Sequence, residues 1–132
     1  MNEDFPPGDH LHDRLFLMFQ QQAGFMKLLN EKRDFPEFPV NITDKKAQQQ
    51  CRDIVHCTVE ELFEALRHLK NWKKHRATDV PQVDRAEFIE EVVDAQHFLF
   101  ELMLLVGVTP MEFYQAFIQK GVINEKRINE GY

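Results

Sequence analysis

The sequence is poor in cysteine, has no excess of basic residues and contains no long uninterrupted apolar run, and each absence removes a class of protein. Its two cysteines, Cys51 and Cys57, stand six apart with no second pair near them. That is neither zinc-ribbon spacing nor the density of a disulfide-stapled domain, so they read as reduced, half-buried thiols. Lys and Arg number 16 against 22 acidic residues, a net charge of -6. A binder of bare nucleic-acid backbone would have to gather its few cations on one face against that field, so no nucleic-acid partner is expected. The longest apolar stretch, Phe98 to Val108, is interrupted by Glu101 and falls far short of a membrane span. The opening residues, Met1 to Gly8, lack a basic and then apolar leader pattern. A cytoplasmic protein with no membrane partner is the expectation. Strand alternation, internal repeats and low-complexity tracts are also missing.

What is present is helical periodicity over a chain of 132 residues, enough for one domain. Leu11, Leu15, Met18, Gln22, Phe25 and Leu29 recur at three- and four-residue intervals, predicting a helix from about His10 to Lys32. Pro36 and Pro39 then break any helix across Asp34 to Val40, and Asn41 or Thr43 is placed to cap the next one. Ala47, Cys51, Ile54, Val55, Leu62, Ala65, Leu69 and Trp72 keep the period from Asp44 to about His75, as one long helix or two broken near Thr58. A third helix runs from Asp84 to Val106, apolar nearly all round and stopped at Gly107. Thr109-Pro-Met-Glu112 has the form of a capping box, opening a last helix from Pro110 towards Asn129. The expected fold is all-α, a compact bundle of four to five helices. A bundle this small often completes its core by association, so a homo-oligomer is expected.

Chemistry concentrates in two acidic pairs, Glu61-x-x-Glu64 with Glu60 beside it and Glu91-x-x-Asp94 with Glu90 beside it. An i, i+3 spacing puts both carboxylates of a pair on one helix face, and two such helices side by side bring four acids around one point. Mg2+ or Mn2+ prefers such oxygen ligands while keeping waters and substrate phosphates, and four to six carboxylates suit two or more ions. The first pair reads equally as a solvated face, with Thr58-x-x-Glu61 restarting a broken helix. The stripe on the third helix, Glu87, Glu90, Glu91, Asp94, His97 and Glu101, contains no Lys or Arg, which a solvent-facing stripe would normally mix in. On a continued last helix Lys120, Asn124 and Arg127 share one face, either as phosphate ligands or as a solvated tail. Gln22 falls inside an apolar stripe, where its amide needs a partner in the protein or in a ligand.

The full arrangement is Glu61-x-x-Glu64, 26 intervening residues, Glu91-x-x-Asp94, then His97-Phe98. Trp72-Lys73-Lys74 follows the first pair, and Lys120-x3-Asn124-x2-Arg127-x3-Gly131-Tyr132 closes the chain. This pattern resembles the all-alpha nucleoside triphosphate pyrophosphatases, and within them the dimeric dUTPase-like branch of the MazG-related proteins, from about Leu11 to the last residue. The resemblance implies a homodimer or homotetramer that hydrolyses a nucleoside triphosphate to the monophosphate and pyrophosphate. It implies Glu61, Glu64, Glu91 and Asp94 as ligands of Mg2+, with Mn2+ as substitute, and Glu61 or Glu64 as general base. Lys120, Asn124, Arg127 and Tyr132 match the phosphate side, and Gln22 and Trp72 the base side. A second Trp after the first acidic pair is missing and His75 stands nearby instead, which leaves the base open between uracil and a purine such as guanine or adenine. Related proteins are often phage-encoded, which would place this one in a host cytoplasm. Two rival readings remain: a di-iron carboxylate protein, for which only Asp94-x-x-His97 approximates the motif, and a non-enzymatic nucleotide-binding or regulatory protein on the same scaffold.

Overall fold

The structure, a computed structural model, describes residues 13–131. Among these there are four helices and no strand: α1 (Arg14–Lys32), α2 (Lys45–Leu66), α3 (Arg85–Leu105) and α4 (Pro110–Asn129). The start of the first helix near His10 and the terminal Tyr132 lie outside the described residues. Among the described residues no single helix is long and apolar enough to cross a membrane.

Each helix begins on a side chain that satisfies a backbone N–H left unpaired by the first turn. The Asp13 carboxylate accepts from the Phe16 N–H and the Asp84 carboxylate from that of Glu87. Thr109 Oγ1 accepts from the Glu112 N–H at 3.1 Å, with Pro110 in the first turn, as the sequence pattern predicts. For α2 the cap is Asp44, whose carboxylate accepts from the Ala47 N–H. Asn41 and Thr43 instead bond to each other just ahead of the helix. Thr58 does not interrupt α2: its hydroxyl donates to the Ile54 carbonyl at 2.9 Å, one turn back, so the polar group is satisfied inside a continuous helix. The helix ends at Leu66 rather than near His75. The N–H groups of His68 and Leu69 turn back onto Ala65 and Leu66, and Asn71 Oδ1 then accepts from the Val80 N–H, closing a loop.

The α2–α3 pair is the principal packing unit, with α1 laid on α3 and α4 touching α1 alone. Met26, Ile54 and Leu105 form the buried centre, packed by Phe35, Phe38, Val40, Cys51 and Phe98. The proline-containing connection is held against the end of α3, where the Val40 N–H donates to the Leu105 carbonyl at 2.8 Å. Gly107 turns the chain there at φ 84°, and a Cβ at this position would stand 3.1 Å from Pro39 Cβ. A glycine serves both the left-handed conformation and the close approach.

Two expectations need correction. The single chain is not a closed compact bundle: α4 leaves α3 at 111° and buries none of its residues. Met111, Phe117, Val122 and Ile128 are 61–73% exposed. On α3, Ile89, Val92, Val93 and Leu99 also lie exposed. The thiols differ as well: both are free, Cys51 half-buried in the core and Cys57 exposed.

Candidate metal and nucleotide site

The face of α2 that meets α3 carries Ile54, Thr58 and Ala65, all buried, so Glu61 and Glu64 on the same face are drawn to the helix–helix seam and are half-buried. From α3 the seam receives Glu91 and Asp94, also half-buried, and Glu101, 6% exposed. Carboxylate oxygens of Glu61, Glu64 and Glu91 lie within 4.8 Å of one another. Asp94, one turn further along α3, acts on both Glu61 and Glu91 through its charge. Of the α3 stripe, Glu91, Asp94 and Glu101 are thus covered at α2, while Glu87, Glu90 and His97 remain exposed.

Anions held this closely resist ionisation. Removal from water, then the Glu64 charge, then hydrogen bonding with Glu91 and Glu64, push the Glu61 carboxyl up to about 7. Burial and hydrogen bonding with Glu64 also raise Glu91, and burial raises Glu101. Among the described residues no ion pair reaches these acids. The donor set is all oxygen, half-open and rich in charge, which fits Mg2+ or Mn2+ and is unfavourable without a cation.

The pH dependence follows. A carboxyl whose folded pKa lies above its ordinary value of 4.5 contributes stability below that value, and the contribution is lost as pH rises through about 7. The metal-free chain is therefore expected to melt at a lower temperature at pH 8 than at pH 5. If Mg2+ binds these acids it takes the place of the protons, and most of that difference is expected to vanish. Thermal melts at both pH values, with and without Mg2+, check it; an apo melting point that rises over this interval contradicts the geometry.

A second feature lies between α1 and α3, on another side of α3. A cavity of about 220 Å³ is walled by Met18, Val93 and Phe100 and carries the amides of Gln21, Gln22 and Gln96 with the His97 imidazole. Phe19 and Phe100, their ring centroids 5.0 Å apart, close the packing behind it. Gln22 is 6% exposed, and among the described residues its amide has no hydrogen-bond partner. A buried amide facing a cavity is suited to reading the edge of a polar ring. His97 is exposed here, neither a core histidine nor bonded to an acid of the seam.

The other anticipated residues are not gathered with these. Trp72 stands in the loop after α2, 69% exposed, with the Lys73 ammonium 5.8 Å from its ring centroid, and does not line the Gln22 cavity. Lys120, Asn124 and Arg127 share a side of α4, the helix that touches neither α2 nor α3. Gln96 and Glu101 were not singled out from the sequence as site residues of their own. Glu101 belongs to the acid stripe and Gln96 is one of the few polar positions of α3, but pairing Gln96 with Gln22 requires knowing that α1 lies on that side of α3.

Comparison with known proteins adds no relative: no family model, no curated protein and no solved structure matches the chain.

Proposed function

We propose that this protein is a metal-dependent nucleoside triphosphate pyrophosphatase, hydrolysing dUTP or a purine deoxynucleoside triphosphate to the monophosphate and pyrophosphate. One observation carries the reading: Glu61, Glu64 and Glu91 converge within 4.8 Å at a half-buried seam where, among the described residues, no cationic side chain pairs with them. The resemblance in motif order to the all-alpha nucleoside triphosphate pyrophosphatases of the MazG and dimeric dUTPase type adds to it. Glu61, Glu64, Glu91 and Asp94 would hold Mg2+ or Mn2+. Such ions neutralise charge on the triphosphate and lower the pKa of a bound water. Glu61 or Glu64 would accept a proton from the attacking water as general base. Gln22 and its neighbours in the α1–α3 cavity face the base, where exchange of one amide contact changes the substrate without touching the acids.

The working form is a homodimer or homotetramer. In one chain Lys120, Asn124 and Arg127 sit on a helix remote from the acids, so they serve as phosphate ligands only if α4 of one copy lies along another. The exposed row Val55, Val59, Leu62 and Leu66 on α2 is an apolar surface next to the acids for it to cover.

The test is a panel of canonical and non-canonical nucleoside triphosphates with Mg2+ and then Mn2+, with nucleotide products and pyrophosphate separated and quantified. Monophosphate and pyrophosphate in equal amounts from one or a few bases are expected. Absence of turnover on every triphosphate, with metal present, rejects the enzyme in favour of a binding or regulatory role.

A further inference from the structure

Just beyond the end of α2, His68 turns towards the first two turns of α3. One donor atom from each of His68, Glu87 and Glu91 lies within 4.8 Å of the others. Glu87 and Glu91 are one turn apart on α3, and His68 continues the α2 face that carries Glu61 and Glu64. The three therefore meet because the same seam that gathers the acid cluster extends past the last turn of α2. Glu91 belongs to both groups.

The geometry points to a second divalent-cation position at His68, Glu87 and Glu91, joined to the acid cluster by Glu91 as a shared carboxylate and differing from it in having a nitrogen ligand. The proposal rests on the metal reading of the acid cluster only through that shared residue.

Two further features favour it. The donors are not paired with one another, since among the described residues His68 has neither a hydrogen bond nor an ion pair, although two carboxylates stand beside it. Donor atoms at this spacing can be drawn to bonding distance of one ion by small side-chain rotations. The position also opens onto a cavity of about 520 Å³ that His68 itself lines, together with Lys70, Gln82 and Arg85. A cation held by only three protein donors needs water or phosphate oxygens to complete its shell, and the cavity gives them room beside two positive side chains. An imidazole and two carboxylates favour Mn2+, Co2+ or Zn2+ over Mg2+, which takes oxygen almost exclusively. The acid cluster is then the Mg2+-type position and the His68 position the one that accepts a transition metal.

The experiment uses the full chain stripped of metal and titrated with Mn2+, read by calorimetric stoichiometry and by pulsed electron paramagnetic resonance for nitrogen coupled to the bound ion. Wild type is expected to show nitrogen-coupled Mn2+. His68→Ala loses that coupling and one bound ion per chain, Glu87→Gln loses the ion with the imidazole still present, and Glu64→Gln retains the coupled ion. Circular dichroism confirms that each variant keeps its helices. Wild type that binds Mn2+ with no nitrogen coupling, or coupling that survives in His68→Ala, overturns the proposal and leaves the acid cluster standing. Wild type that binds no Mn2+ overturns both.

Discussion

Glu64→Gln is expected to lower pyrophosphate release by roughly 10³-fold, several kcal/mol of barrier, because the acid cluster loses both a ligand and a negative charge. The substitution preserves the size of the side chain, and Glu64 lies on a helix whose packing is made by Ile54, Thr58 and Ala65, so helicity is retained. It has a second, opposite consequence. The Glu64 charge is among the causes that raise Glu61, so its removal relieves repulsion and the metal-free variant melts at a higher temperature than wild type at pH 8. If the acids hold Mg2+, wild type is expected to gain about 2.7 kcal/mol of stability at a hundredfold excess over the dissociation constant and to melt higher, and the variant to gain far less. Turnover assays beside melts with and without Mg2+ separate a lost metal site from a lost fold. Full activity in Glu64→Gln rejects the metal assignment.

The largest structural effect is expected on α4. A 20-residue helix that buries none of its residues and rests only on α1, through Phe113 against Phe19, receives little support from the rest of the chain, and isolated helices of this length are only marginally stable in water. Its exposed Met111, Phe117, Val122 and Ile128 are each capable of adding about 1.5–3 kcal/mol when covered. If a second copy supplies the cover, as proposed, Phe117→Asp with Val122→Asp is expected to convert the assembly to monomers, because neither added charge finds a partner in an apolar contact. Sedimentation at one protein concentration reads the change. Wild type that sediments as a monomer, or a variant that stays assembled, contradicts it. If α4 also brings Lys120 to the acids of another chain, mixing Glu64→Gln with Lys120→Ala in a dimer restores about a quarter of the wild-type sites, since one site in each mixed dimer is intact. Mixed dimers that form and stay inactive place Lys120 outside the site.

Much of the fold was legible because helix signals are local. The caps at Thr109 and the stop at Gly107 involve residues within one turn of each other, so sequence alone locates α4 to the residue. Where local signals compete, the reading slipped. Asn41 and Thr43 are good capping residues, yet they bond to one another and leave the cap to Asp44. The periodicity that reached Trp72 overran α2, because Leu69 and Trp72 keep a helical interval by spacing alone while the chain turns at Arg67. Thr58 read as a possible break because the sequence does not show that its hydroxyl bonds back to Ile54.

The site divides in the same way. The sequence by itself determined that α2 and α3 each carry a pair of acids on one face, since an i, i+3 interval does that in any α-helix. Only the tertiary structure decided that the two faces meet, that Glu101 is buried with them, and that His68 and Glu87 extend the seam, because these depend on which side of each helix its neighbour covers. It also set Lys120, Asn124 and Arg127 apart from the acids. The crossing of α1, α3 and α4 is an outcome of packing between distant segments, and no short-range pattern of residues encodes it.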